Sequence, residues 1–233
     1  MNKVFFVSDL HARPDSPERE AVFKEFLKRK LMSGDSLYIL GDLFEFGFAF
    51  NGQILPYYQS LVSVLTSLQS SGVRIFFLPG NHDLWMCSYL ARRGIRIIRE
   101  GSVITVLGKK VALYHGLLKE PDSLSRLASS VMRNPDCVWL YSGLPQRLGF
   151  ALAMRLSGFS RRRNKPFSKR LNSSMIRKTA DEAEIIISGH HHERLVFKLN
   201  GKLIYITGDW ITNCTYLEMT KNGLEQRIFS AKP

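Results

Sequence analysis

The feature that most constrains this chain is a recurring unit: a short run of β-branched and aromatic residues that ends in a polar turn carrying Asp, His or Asn. It occurs as KVFFVSDLH (3–11), SLYILGDLF (36–44), VRIFFLPGNHD (73–83), KVALYHG (110–116), EIIISGHHH (184–192) and KLIYITGDW (202–210). Near-continuous apolar runs of this length mark strands covered on both faces, as in the sheets of α/β proteins. Helical patterns lie between the early runs. SPEREAVFKEFLKRKL (16–31) sets Val22, Phe23, Phe26 and Leu27 on one face, with Ser16 able to cap the helix and Pro17 in its first turn. ILPYYQSLVSVLTSLQSS (54–71) reads as a second helix, stopped by Gly72. After residue 184 strands dominate, and Asn-Gly pairs at 200–201 and 222–223 predict hairpins.

In open α/β sheets, ligand sites form at the carboxyl ends of strands. There this chain sets Asp9-x-His11, Gly41-Asp42, Gly80-Asn81-His82-Asp83, His115-Gly116 and Gly189-His190-His191-His192. Asp9, His11, Asp42, Asn81, His115, His190 and His192 offer carboxylate, imidazole and amide groups with no thiolate, a donor set that suits Mn²⁺, Fe or Zn²⁺. Seven ligands can hold two ions, with Asp42 as the natural bridge. Ions roughly 3.5–4 Å apart neutralise phosphate oxygens during an in-line displacement, and coordination makes hydroxide available near neutral pH. Glycines beside Asp42, Asn81 and His190 allow a sharp turn and a close backbone approach. Side-chain alternation leaving a strand sends His190 and His192 to one side and turns His191 away. Asp209, in TGDW, follows the last histidine and reads as structural. The alternating Phe44, Phe46, Phe48 and Phe50 read as packing in preference to a substrate wall.

The 233 residues carry 33 Lys and Arg against 20 Asp and Glu, a net charge of +13 that points to a polyanionic partner. Its distribution is uneven. Residues 117–178 hold thirteen basic residues against Glu120, Asp122 and Asp136, so ten of the thirteen net charges lie there. That span is helix-prone with no convincing strand, and reads as a helical cap inserted between core segments 1–116 and 179–233. Within it, CVWLYSGLPQRLGFALAMRLSGF (137–159) mixes an aromatic and aliphatic stripe with Arg147 and Arg155. Such a segment can bury acyl chains and lie against an anionic membrane surface. Nucleic-acid binding would interleave aromatic residues in a basic groove, so a lipid slot is favoured. Three widely spaced cysteines with no CxxC pair suit a reducing compartment. No run has the ~20 apolar residues of a membrane-spanning helix, and no secretory leader is visible. The expected location is cytoplasmic, peripheral on the cytoplasmic face of the inner membrane.

Taken in order, D-x-H, GD, GNHD, a lone H and GHxH resemble the calcineurin-like metallophosphoesterases. The resemblance implies a four-layer α/β/β/α sandwich. It also implies that Asp9, His11, Asp42 and His192 hold one metal while Asp42, Asn81, His115 and His190 hold the other. His82, paired with Asp83 or Asp42, would then stabilise the transition state or protonate the leaving group. An inactive scaffold of this fold would lack ligands, and none is missing.

More of the chain is similar to the UDP-2,3-diacylglucosamine pyrophosphohydrolases of lipid A synthesis: SDLH, GDLFE (41–45), the basic insertion with RNP (133–135), and TGDW. That likeness implies a lid over the acyl chains, Asp122, Arg155, Ser157, Asn164 and Lys165 as substrate-binding residues, and UMP with 2,3-diacylglucosamine 1-phosphate as products. His82 stands where that family usually has arginine, and Leu117 where it commonly has aspartate. A nucleotide or nucleic-acid phosphodiesterase and a protein phosphatase are the alternatives.

Overall fold

The computed structural model describes residues 2–49, 52–116, 134–145, 148–149 and 182–231. In chain order its elements are β1 (Val4–Val7), α1 (Pro17–Lys30), β2 (Ser36–Leu40), α2 (Pro56–Ser70), β3 (Arg74–Leu78), a 3₁₀ turn (Leu84–Met86), α3 (Cys87–Ala91), β4 (Arg96–Ile97), β5 (Ser102–Val106), β6 (Lys109–Tyr114), α4 (Pro135–Ser142), β7 (Ile185–Ser188), β8 (Arg194–Leu199), β9 (Lys202–Thr207), β10 (Thr215–Thr220) and β11 (Gly223–Ile228). All six apolar runs are strands. They fall into two sheets, ordered β11-β10-β1-β2-β3-β4 and β5-β6-β7-β9-β8. Strands β1 to β4 are parallel, as are β6, β7 and β9, and antiparallel strands flank each set.

The apolar runs are continuous because each strand is covered twice. Phe5, Val7, Leu37, Ile39, Ile75 and Phe77 face one cluster with Phe23, Phe26 and Leu27 of α1 and Tyr58, Leu61 and Leu65 of α2. Their neighbours Val4, Phe6, Tyr38, Leu40 and Leu78 face Val111, Leu113, Ile185, Ile187 and Tyr205 of the second sheet. Ala112, Tyr114, Ile186, Ile204 and Ile206 form a third buried cluster on the second sheet's far side. This two-residue alternation is what a pleated strand between two apolar layers requires. Helices, first sheet and second sheet are thus three of the expected layers in a mixed α/β fold. Any fourth layer, and most of the expected cap at 117–178, lie outside the described residues; within that span, Pro135–Ser142 forms α4. No helix among the described residues is long and apolar enough to cross a membrane.

The turns follow backbone sterics, with two departures from the sequence reading. Asn200 and Gly201 join β8 to β9 with φ of 49° and 78°, the primed turn that an Asn-Gly pair favours. The β10–β11 loop sits one residue earlier than its Asn-Gly pair, since Thr220 pairs with Gly223. A further hairpin joins β5 to β6 through Leu107 and Gly108, both at positive φ, where a leucine gives no turn signal. Ser16 occupies the N-cap of α1 but makes no side-chain capping bond.

Phe26 is the hinge of the helical layer. It is fully buried, with ring centroids 4.7 Å from Trp210, 4.8 Å from Tyr216 and 5.5 Å from Phe229. Phe26→Ala should cost ~3–5 kcal/mol, the usual range for removing a core phenylalanine. A urea-unfolding midpoint close to that of the unaltered protein would contradict this packing.

Candidate metal centre

The carboxyl ends of the parallel strands of both sheets meet at one edge of the sandwich. Asp9 and His11 follow β1, Asp42 follows β2, Asn81 and His82 follow β3, His115 follows β6, and the histidine triplet follows β7. Ligand-type atoms converge there in three overlapping groups: Asp9, His11 and His192; His11, Asp42 and His82; and Asp42, His115 and His190. Within each group the atoms lie within 4.8 Å of one another. Asn81 joins the last group through its amide oxygen, 3.1 Å from His115 Nε2. All seven residues that the sequence marked as ligands therefore share one locality.

Unusual backbone makes this convergence possible. Asp9, His11, Asp42, His190 and His192 all have positive φ, between 48° and 73°. Non-glycine residues adopt this region at a cost and persist there only when surrounding bonds over-determine them. Here Asp9 N donates to Gly41 O (3.1 Å), His11 N to Asp42 O (2.9 Å) and Trp210 N to Asp9 O (3.1 Å). Strand alternation does not set the histidine triplet: β7 ends at Ser188, and His190 and His192 stand beyond it on left-handed backbone. His191 belongs to none of the three groups and lies against His190, ring centroids 5.4 Å apart. Two glycines are forced by close approach. A Cβ on Gly41 would sit 2.4 Å from His115 Nδ1, and one on Gly80 would sit 2.2 Å from Asp42 Oδ1.

Outside the cluster, a second set of contacts fixes which ring nitrogen faces inward. His115 Nδ1 lies 2.8 Å from Leu40 O, a carbonyl that can only accept, so Nε2 is left toward Asp42 Oδ2 at 3.2 Å. His11 turns Nδ1 to Glu45 Oε2 at 3.3 Å and Nε2 to Asp42 Oδ2 at 3.6 Å. His82 Nδ1 lies 2.8 Å from Glu45 O, which leaves its Nε2 for other work. Metal-binding histidines are held in this manner by outer-shell oxygens. The sequence reading missed Glu45, although it stands in the GDLFE stretch; nothing in its spacing distinguishes a histidine-orienting carboxylate from a solvated one.

Asp83 departs from expectation. Its carboxylate accepts from Leu43 N (2.7 Å) and Gly80 N (2.8 Å), clasping the two loops that carry Asp42 and Asn81, and it is not His82's hydrogen-bond partner. Asp209 is structural as read: Oδ1 accepts from the amides of Ile211, Thr212 and Asn213. Asp122, Arg155, Ser157, Asn164 and Lys165 lie outside the described residues.

The electrostatics are those of a site built for cations. Burial raises the pKa of Asp9 and Asp42, yet the surrounding imidazoles outweigh it and hold both below the ordinary carboxylate range. Burial likewise disfavours an imidazolium, but Asp9, Glu45 and Asp42 push His11 up to about 10, and Asp42 with Asp9 push His115 up to about 10. His190 is pulled down to about 4 by burial and by the charge of His115. Asp83 is pushed up to about 6 by burial and by Asp42. Asp9 Oδ1 and His11 Nε2 are buried without a hydrogen-bond partner. Buried polar atoms are ordinarily satisfied, so a pair of such atoms aimed into a carboxylate–imidazole cluster fits a divalent cation.

A fold of two parallel-stranded sheets with Asp, His and Asn gathered at their shared edge defines a metal-dependent hydrolase. The chain belongs to the calcineurin-like phosphoesterase family, whose model matches residues 2–194. It is 30% identical to the UDP-2,3-diacylglucosamine hydrolase of Shewanella pealeana, over 96% of each chain. It is 29% identical to the protein of that name from Aeromonas salmonicida, over 95% of this chain and 92% of that one. A solved archaeal phosphodiesterase aligns over 97% of this chain and 99% of its own, at 15% identity and a TM-score of 0.47.

The charge pattern sets a pH dependence. His11 and His115, raised from 6.5 to about 10, stabilise the metal-free fold fully below pH 6.5 and lose that contribution as pH climbs through 10. Asp9 and Asp42 are lowered, so their contribution is lost only in acid below 3.8. Metal binding must displace the imidazole protons and so tightens over the same alkaline interval. The melting-temperature gap between Mn²⁺-loaded and EDTA-treated protein should therefore widen from about pH 6 to about pH 8.5. A gap that stays constant or narrows would contradict the assigned charges.

Proposed function

We propose that this hydrolase cleaves the pyrophosphate of UDP-2,3-diacylglucosamine, releasing UMP and 2,3-diacylglucosamine 1-phosphate in lipid A synthesis. The observation that carries this reading is the length of the likeness. Similarity to hydrolases named for that substrate runs over 95–96% of the chain, through the basic span at 117–178 as well as the core. The general family model stops at residue 194, whereas the likeness to the named hydrolases continues through most of the remaining chain.

On this reading Asp9, His11, Asp42 and His192 hold one ion and Asp42, Asn81, His115 and His190 the other, Mn²⁺ being the first choice. Such a pair supplies acidified water and neutralises charge on the reacting phosphate. The chain's own groups do the rest. Leu40 O and Glu45 keep His115 and His11 in the right orientation. Glu45 O fixes His82 so that Nε2 can meet the substrate, where it steadies charge at the scissile phosphate. A phosphate leaves as an anion, so this reaction asks less of His82 as an acid than an alkoxide leaving group would. Asp83 keeps the loops of Asp42 and Asn81 in register.

An amphiphilic substrate also needs apolar surface near the cluster. Phe46, Phe48 and Trp85 meet Tyr141 of α4 there, with Tyr141 5.7, 5.0 and 5.5 Å from them in turn. Phe46 and Phe48 stand one and three residues after Glu45, and Trp85 lies three residues after His82. Phe44 and Phe48 are buried, as packing requires, while Phe46 is half-buried; Phe50 lies outside the described residues. We assign 117–178 as the cap, with Asp122, Arg155, Ser157, Asn164 and Lys165 contacting the polar part of the substrate. Its ten net positive charges would hold the enzyme at an anionic membrane face.

Incubation with Mn²⁺ and UDP-2,3-diacylglucosamine should yield UMP by mass spectrometry. Asp42→Ala should lose at least about a hundredfold in kcat/KM, or ~2.7 kcal/mol of transition-state binding, while keeping its circular dichroism. Turnover of bis-p-nitrophenyl phosphate, cyclic nucleotides, nucleic acid or a phosphoprotein without any UMP from the acylated sugar nucleotide would overturn the substrate assignment. Near-normal activity in Asp42→Ala would overturn the two-ion assignment.

A further inference from the structure

We propose that the buried hydroxyl pair Ser8–Thr207 positions Asp9, occupying one carboxylate oxygen so that the other faces His11 and His192, and thereby sets how tightly the site holds one of its ions. The inference rests on the two-ion reading of the same cluster and adds two residues, Ser8 after β1 and Thr207 at the end of β9, that are not among its ligands.

Ser8 follows β1 of the first sheet, and Thr207 ends β9 of the second. Their hydroxyl oxygens are 2.5 Å apart, across the seam where the sheets meet. Ser8, Asp9 and Thr207 are all buried. Ser8 Oγ donates to Asp9 Oδ2, and the amide of His190 donates to that same oxygen at 2.8 Å. Asp9 Oδ1 has no hydrogen-bond partner. It faces His192 Nε2 at 3.4 Å and His11 Nε2 at 3.8 Å.

The direction of the relay follows from counting protons. A carboxylate only accepts, so the single proton of Ser8 goes to Asp9, and the Ser8 oxygen accepts from Thr207. Thr207 Oγ1 also lies 3.2 Å from Ser188 O, and Ser8 Oγ 3.5 Å from Gly208 O. Each hydroxyl thus has a carbonyl it could use instead, and polarisation along the chain favours the carboxylate, which bears the charge. The terminal torsion of an aspartate is soft. With two donors fixed on Oδ2 and none on Oδ1, only Oδ1 is presented to the imidazole cluster. The loop that brings His190 over Ser8 can do so because residue 189 is glycine; a Cβ there would lie 2.8 Å from Ser8 Cβ.

A purely structural role would be to satisfy the seam, and metal affinity separates it from positioning. Ser8→Ala removes the donor to Asp9 and frees the proton of Thr207 for Ser188 O, 3.2 Å away. Loss of an outer-shell partner typically costs 10–100-fold in metal affinity. EDTA-treated full-length protein is titrated with Mn²⁺, the free ion being read by electron paramagnetic resonance, with melting temperature recorded in EDTA. The unaltered protein should bind two equivalents. In Ser8→Ala one equivalent should weaken at least about tenfold and the other stay, with the EDTA melting temperature nearly unchanged. Thr207→Val should shift the same equivalent less, and Thr207→Ser should restore it, so the Thr207 pair decides the matter if Ser8→Ala does not fold. Variants that bind both equivalents as the unaltered protein does would overturn the inference alone, as would equal weakening of both equivalents accompanied by a lower melting temperature. Failure of the unaltered protein to bind two equivalents would overturn the two-ion reading, and this inference with it.

Discussion

Two carboxylates, Asp9 and Asp42, sit almost wholly out of solvent at the edge where the sheets meet, 0% and 1% exposed. Removing an ionised carboxylate from water costs several kcal/mol unless charge and hydrogen bonds compensate it closely. Much of the surrounding architecture is that compensation. His11, His115 and His192 bring imidazoles to within 3.2–3.8 Å of carboxylate oxygens, and backbone amides of His82 and His190 donate to Asp42 Oδ1 and Asp9 Oδ2. The left-handed turns and the Gly41 and Gly80 contacts exist because these groups must approach so closely. On the proposed reading, divalent cations held by the same carboxylates and imidazoles would contribute to this balance.

The sandwich serves that edge. Each sheet contributes parallel strands whose carboxyl ends point the same way, so residues far apart in sequence, Ser8 and Thr207 among them, become neighbours. The strands are buried on both faces, and each ligand stands only one to four residues past the end of its strand, so the sheets fix where the ligands begin.

What could be read from the sequence follows the range of the forces involved. The six principal strands and both long helices were legible because apolar period and glycine or proline boundaries are local signals. Ligand identity was legible because Asp-x-His, Gly-Asp and Gly-Asn-His-Asp sit at strand ends and their order is specific. What was not legible is tertiary. The positive φ of five ligand residues, Glu45 behind His11, and Asp83 as a loop clasp and not a partner of His82 all depend on which loops lie side by side. The two-residue strand β4 and the Leu107–Gly108 turn give little local signal. His191 shows the limit of local reasoning: alternation set it apart from its neighbours, whereas the structure separates it by left-handed turns at His190 and His192.

The central claim is that this edge is a two-ion phosphohydrolase centre bridged by Asp42. Anomalous X-ray diffraction from crystals grown with Mn²⁺ tests it most directly. The account predicts two peaks, roughly 3.5–4 Å apart as in two-metal sites, one among Asp9, His11 and His192 and the other among Asp42, His115 and His190. A single peak, or manganese bound only elsewhere on the chain, would contradict it.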